Sequence, residues 1–297
     1  MTHGRVSIFV LGVQKCGTTS IADILNSHPD IFVPSIKETY YFCLDSRFSK
    51  GEAWFHSEFY NSATAARAQH WAEATPFNLV SKEAVDRIAS YADDTAKFIV
   101  ILREPVKRAF SAFQHQVRLG NETLSFEQAL EQEDSRIESE RTRTGRWWRY
   151  AYTRVGQYGA QIEYAKQRLG KDRLLVLRQD ELKDVAAVNE KMQNFLELNA
   201  PFPAKGDTRA NPASMPRSKL IRNLVTKDNP LKKIAKKLLP REIRSKIGTA
   251  LNRANAKVAP REALEPSVES ELATFFEADQ RVLMGMKLAS HDAAKNT

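Results

Sequence analysis

Cysteine is nearly absent: Cys16 and Cys43 are the only two in 297 residues. Two cannot build a disulfide framework, so a reducing compartment is the expectation. Long apolar runs are missing too. The longest, Val6 to Val13, has the length of a strand and falls far short of the roughly 20 residues of a membrane span. It lies too close to Met1, and is too short, to be a signal peptide with its cleavage site. No carboxylate–histidine cluster offers a metal site, so none is expected. These absences point to an enzyme or binding protein working in the cytoplasm.

Positive charge is what the chain has in excess. It carries 45 Lys+Arg against 36 Asp+Glu, a formal net charge of +9. A basic surplus implies an anionic partner: nucleic acid, a membrane surface, or a phosphorylated or sulfated small molecule. The surplus is local. Residues 205–261 hold 16 Lys+Arg and 3 Asp+Glu, and the remainder holds 29 against 33. This segment also contains Pro212, Pro216, Pro230, Pro240 and Pro260. Within it Leu231, Ile234, Ala235 and Leu238 fall on one helical face, and Lys232, Lys233, Lys236 and Lys237 on the other. Such a stretch fits either a lid packed on the domain or a helix lying on an anionic membrane, which would be the inner membrane surface.

Elsewhere strands alternate with helices. Val6–Val13 is nearly continuously apolar and reads as a strand buried on both faces. A glycine turn follows, then helical spacing from Thr18 to Asn26. Lys97–Leu102 is a second strand, and Pro105 suits the first turn of a helix running to Leu119. A helix from about Gly156 to Leu169, a strand at Arg173–Leu177 and a helix over Val185–Leu198 continue the pattern. The region from Leu272 to Leu288 predicts a last helix returning to the core. The expected fold is α/β: a P-loop-type parallel sheet with helices on both faces, in one domain over 1–297.

The first turn carries the chemistry. It reads Gly12-Val13-Gln14-Lys15-Cys16-Gly17-Thr18-Thr19-Ser20. A nucleoside-triphosphate P-loop needs Lys directly after its second glycine. Here Thr18 stands there, and the lysine has moved inside the loop to position 15. The backbone argument survives the change: glycine permits close approach, and free N–H groups at a helix N-terminus bind an anion.

This loop resembles the 5′-phosphosulfate-binding loop of sulfotransferases that use 3′-phosphoadenosine 5′-phosphosulfate (PAPS). Most similar is the branch holding the heparan-sulfate sulfotransferase domains and many bacterial relatives. Further stretches agree in the family's order: Ser27-His28-Pro29-Asp30, Lys37-Glu38-Thr39-Tyr40-Tyr41-Phe42, Glu73-Ala74-Thr75-Pro76, Leu102-Arg103-Glu104-Pro105 with Arg108 and Ser111, Gly156-Gln157-Tyr158, and Asp180-Glu181-Leu182. The resemblance implies PAPS as sulfuryl donor, with Lys15, Cys16, Gly17, Thr18, Thr19 and Ser20 around its 5′ end and Arg103 and Ser111 on its 3′-phosphate. It also implies a basic loop over that phosphate from the late segment. Lys205, Arg209, Arg217 and Lys219 are the cations available, and Arg217 is assigned to the cofactor. Lys15 is the implied catalytic cation and Glu38 the implied general base, with His115 as the rival base. Arg108 fits a solvated helix position as well as a site position.

The expected reaction moves a sulfuryl group to a hydroxyl or amine, releasing adenosine 3′,5′-diphosphate. The branch favours a carbohydrate or glycolipid acceptor. One departure counts against a heparan-like polysaccharide: some relatives carry lysine where this chain has Ala74. Trp147, Trp148, Tyr150 and Tyr152 fit an acceptor cleft or the core. The alternatives are a P-loop small-molecule kinase and a non-enzymatic nucleic-acid-binding protein. The lysine at 15 opposes the first, and the lack of aromatic-interleaved basic motifs opposes the second.

Overall fold

A computed structural model describes residues 4–203, 214–216, 256–258 and 263–286. Its centre is a five-stranded parallel sheet in the order β2-β3-β1-β4-β5. The strands are β1 (Val6–Gly12), β2 (Ile31–Phe32), β3 (His70–Glu73), β4 (Lys97–Leu102) and β5 (Leu174–Arg178). The run from Ile8 to Leu11 and that from Phe98 to Leu102 are buried, as strands covered on both faces must be. Phe9 and Phe98 stack across the β1–β4 pair with ring centroids 5.5 Å apart.

Helix α1 (Thr18–Ser27) leads from β1 towards β2. Three short helices, α2 (Asp45–Phe48), α3 (Gly51–Phe59) and α4 (Ala63–Arg67), fill the way to β3. Then α5 (Lys82–Tyr91) leads into β4. Between β4 and β5 lie α6 (Pro105–Leu119), α7 (Phe126–Glu131), α8 (Glu133–Thr144) and α9 (Tyr158–Leu169), and α10 (Val185–Leu196) follows β5. Helix α6 begins as the sequence predicts. Pro105 sits in its first turn, and the Glu104 carboxylate accepts from the N–H groups of Val106 at 2.8 Å and Lys107 at 2.7 Å. Gly120 ends it in the left-handed region at φ 71. The helix Pro266–Gly285 packs on α6 and α9, burying Leu272 and Phe276.

Strands β2 and β3 leave no apolar run in the sequence. Two residues are too few to show a period, and β3 reads His-Trp-Ala-Glu. Its last residue, Glu73, is a fully buried carboxylate beside the central strand. Chain order reverses on the two sides of β1, so the carboxyl ends of β3, β1 and β4 open onto one crevice, where open α/β sheets bind ligands.

Most of 205–261 lies outside the described residues, including Lys205, Arg209, Arg217, Lys219 and the stretch 231–238. What is described there is an antiparallel backbone pair, Ser214–Pro216 with Ala256–Val258. Ser214–Pro216 runs close beside α6.

Candidate functional site

The turn after β1 is tied down from both sides. Val13 N–H donates to the Ile101 carbonyl on β4 at 3.0 Å, and Leu79 N–H donates to the Leu11 carbonyl at 2.9 Å. Lys15 takes a left-handed φ of 69, which a non-glycine residue holds only where its surroundings impose it. Arg103, at the end of β4, reaches the Lys15 carbonyl with Nη1 at 3.4 Å and so braces the loop. Gly17 lies at φ 111, and a Cβ there would meet Leu182 Cδ1 at 2.8 Å. Glycine is therefore required for its backbone angle, and a Cβ there would also press on the end of the Leu182 side chain.

Cys16 serves this site differently from the expectation. Its N–H donates to the Val13 carbonyl at 3.1 Å and its thiol faces the Tyr158 hydroxyl at 3.8 Å. Burial pushes that thiol up to about 11, so Cys16 is a packing residue beneath the loop. Thr18 is also buried, whereas Thr19 is exposed and Ser20 half-buried. No side chain caps the N-terminus of α1, which leaves its first-turn N–H groups open to an anion.

Lys15 faces a cluster of charges. Burial, then Arg118 and Arg103, lower its ammonium to about 8, with Glu38 opposing them. His115 is held down to about 4 by burial, Lys15 and Arg118, again with Glu38 opposing. Its imidazole is neutral at pH 7 and a weak proton acceptor. Ser111, His115 and Arg118 are spaced i, i+4, i+7 and share one stripe of α6. The buried Arg108, three residues before Ser111 and seven before His115, lies along the same stripe, while the buried Ala112 and Phe113 lie off it.

Glu38 stands in the segment before α2. Its Oε1 accepts from Lys37 Nζ at 3.0 Å and its Oε2 from the Tyr40 hydroxyl at 2.6 Å. The buried Glu73 carboxylate holds this segment in place. It accepts from Thr39 Oγ1 at 2.7 Å, Thr75 N–H at 3.1 Å, Asn78 Nδ2 at 2.8 Å and the Thr75 hydroxyl. Burial pushes the Glu73 carboxyl up, while these donors favour its charged form. Ala74 is buried, and its N–H donates to the Lys37 carbonyl at 3.2 Å.

Arg108 is the correction on α6. It has no exposed surface, and its Nη2 donates to the Tyr152 carbonyl. It is a buried brace and not a solvated helix residue. Trp148 is buried with its ring stacked on Phe77, centroids 4.9 Å apart, and on Tyr40 at 6.3 Å. Tyr152 is core, with its hydroxyl on Glu122 at 2.7 Å. Sequence reasoning missed Arg118, although the i, i+7 spacing from Ser111 carried a signal for it. It also missed Tyr40, whose left-handed φ of 52 and hydroxyl contact with Glu38 no sequence pattern shows.

No group of three or more His, Cys, Asp or Glu among the described residues is placed to hold a metal ion. No described helix is long and apolar enough to cross a membrane.

Over 118 residues the chain is 31% identical to heparan sulfate glucosamine 3-O-sulfotransferase 3B1 of Mus musculus, covering 40% of this chain and 28% of that one. Over 112 residues it is 30% identical to membrane-associated sulfotransferase kil1 of Dictyostelium discoideum, covering 38% and 23%. The matched stretch thus spans less than a third of either relative. A sulfotransferase structure from Alicyclobacillus acidocaldarius shares the fold, with a TM-score of 0.65, 24% identity and 95% of each chain covered. The sulfotransferase domain itself matches residues 5–240, most of the chain, so this protein belongs to the sulfotransferase family.

Proposed function

We propose that the protein transfers a sulfuryl group from PAPS to a hydroxyl or amine acceptor, a carbohydrate or a glycolipid, releasing adenosine 3′,5′-diphosphate. The observation that carries this reading is the meeting of Lys15 and Glu38 at one crevice, where the Glu38 charge acts on the Lys15 ammonium, beside the open N-terminus of α1. The residues fit a PAPS molecule. The Thr19 and Ser20 end of α1 and Lys15 suit its phosphosulfate end, and Arg103 and Ser111 suit its 3′-phosphate. Cys16 would contribute backbone position only, since its N–H and thiol are engaged within the protein.

When bound, PAPS supplies a sulfur whose bond to the bridging phosphate oxygen breaks as the acceptor oxygen or nitrogen bonds to it. Lys15 places a cation where negative charge builds on the departing oxygen. Burial first, and then the neighbouring Arg118 and Arg103, lower its affinity for a proton. Glu38 takes the acceptor's proton, as a carboxylate already fixed by two hydrogen bonds. His115, held down to about 4 by burial and by the nearby Lys15 and Arg118, stays the rival base. We assign the late basic segment, with Arg217, to cover the 3′-phosphate, and place the protein in the cytoplasm with contact to the inner membrane surface through that segment. Nucleic acid has no part in this reading.

The kinase alternative requires a lysine at position 18, and the structure holds Thr18 there, buried. Thermal stabilisation by adenosine 3′,5′-diphosphate compared with ATP–Mg separates the two. The sulfotransferase reading expects the first to stabilise by about 2.7 kcal/mol at a hundredfold excess over its Kd. A preference for ATP–Mg would overturn it. Labelled-sulfate transfer from PAPS into a host extract then identifies the acceptor.

A further inference from the structure

Tyr40 has a φ of 52, and a bulky residue keeps a left-handed backbone only where several contacts impose it. The backbone contacts come from the Glu73 hub. Tyr40 N–H donates to Thr75 Oγ1 at 3.0 Å, and that hydroxyl donates on to Glu73. Thr39 donates to the same carboxylate and accepts from Tyr41 N–H at 3.2 Å. The ring contacts come from the aromatic stack. Phe77 and Trp148 lie nearly parallel to Tyr40, with centroids 6.2 and 6.3 Å away, and the Arg47 and Arg146 guanidinium groups sit 5.7 and 5.2 Å from its centroid.

A phenylalanine would satisfy all of these contacts. The hydroxyl is the unexplained part, and it does one thing: it donates to Glu38 Oε2 at 2.6 Å. Burial and the neighbouring Glu38 push the phenol up, which keeps it a donor throughout the working pH range. Among the described residues, the other hydrogen bond to the Glu38 carboxylate comes from its chain neighbour Lys37, on a flexible side chain.

We propose that Tyr40 is a positioning residue for the sulfuryl-transfer reaction, its hydroxyl fixing the Glu38 carboxylate in the orientation that receives the acceptor's proton. The proposal rests on the reading of Glu38 as the base.

The test is a double-mutant cycle of Tyr40→Phe and Glu38→Ala. The readout is release of adenosine 3′,5′-diphosphate from saturating labelled PAPS, with a total glycan and lipid extract supplying the acceptor. Tyr40→Phe should lower turnover about ten- to hundredfold, the loss of one hydrogen bond to a charged group. The Kd for adenosine 3′,5′-diphosphate and the unfolding midpoint should stay at the native values. In the Glu38→Ala background the same change should cost less than about twofold, because coupled residues are not additive. Native turnover in Tyr40→Phe beside a crippled Glu38→Ala would overturn the positioning role and spare the base. An equal loss in both backgrounds would show that Tyr40 acts independently of Glu38, and would also overturn it. Native turnover in Glu38→Ala would overturn the base reading itself, and the proposal with it.

Discussion

Filling the donor site should make Lys15 take up a proton. Without an anion beside it, Lys15 is held at about 8, against an ordinary 10.5, by burial and by Arg118 and Arg103. A phosphate group brought against it acts in the opposite sense, since opposite charge favours the ammonium. Full recovery of the ordinary value spans about 2.5 pH units, about 3 kcal/mol, or on the order of 300-fold in affinity. Below pH 8 Lys15 is charged in the free and the bound protein alike, and affinity is at its maximum. As pH rises through 8 the free protein loses this proton and binding has to restore it, so affinity falls by up to tenfold per pH unit. Folding stability follows the opposite course. The folded value lies below the unfolded one, so charged Lys15 opposes folding at neutral pH, and that cost disappears as pH rises from 8 towards 10.5. Calorimetric titration with adenosine 3′,5′-diphosphate at pH 8.5, in two buffers of different ionisation enthalpy, counts the proton. The phosphates are fully ionised there, their second pKa lying near about 6. About three quarters of a proton should enter per site. No uptake, or the same uptake in Lys15→Met, would refute the placement of Lys15 at the donor.

Four substitutions extend the test. Lys15→Ala should lower turnover by roughly 10²–10³ while the circular dichroism spectrum stays native, and near-normal turnover by the folded variant would remove its catalytic role. Glu38→Gln should depress turnover far more than affinity for adenosine 3′,5′-diphosphate, with His115→Ala close to native; the reverse pattern moves the base to His115. Gly17→Ala forces an L-residue into a left-handed angle at about 1–2 kcal/mol and drives its Cβ against Leu182, so both the denaturation midpoint and donor-product affinity should drop. Glu73→Ala strands the donors of Thr39, Thr75 and Asn78 at roughly 1–3 kcal/mol for each that stays unpaired, and a chemical melt unchanged from native would show that the hub is not structural.

What the sequence determined by itself were the elements whose cause is local. Continuous apolar runs mark β1 and β4 because a strand buried on both faces has no polar side to show. Helix α6 could be bounded at Pro105 and Leu119, because proline starts a helix and Gly120 closes it in sequence. The loop from Gly12 to Ser20 carried its anion-binding logic in its glycines and its displaced lysine. Tertiary structure decided what depends on distant residues. Strand β3 was hidden because Glu73 must be polar to hold Thr39, Thr75 and Asn78, and a buried carboxylate breaks the apolar pattern. Arg108 looks like any helix arginine until the fold buries it behind Tyr152. Cys16 lies in the right loop, yet the fold buries its thiol against the Tyr158 hydroxyl. The meeting of Lys15, Glu38, His115 and Arg118 comes from β1, the segment before α2 and α6 converging on one crevice. Sequence spacing names the residues of one helix face, but only the closed fold brings separate elements within range of each other's charge.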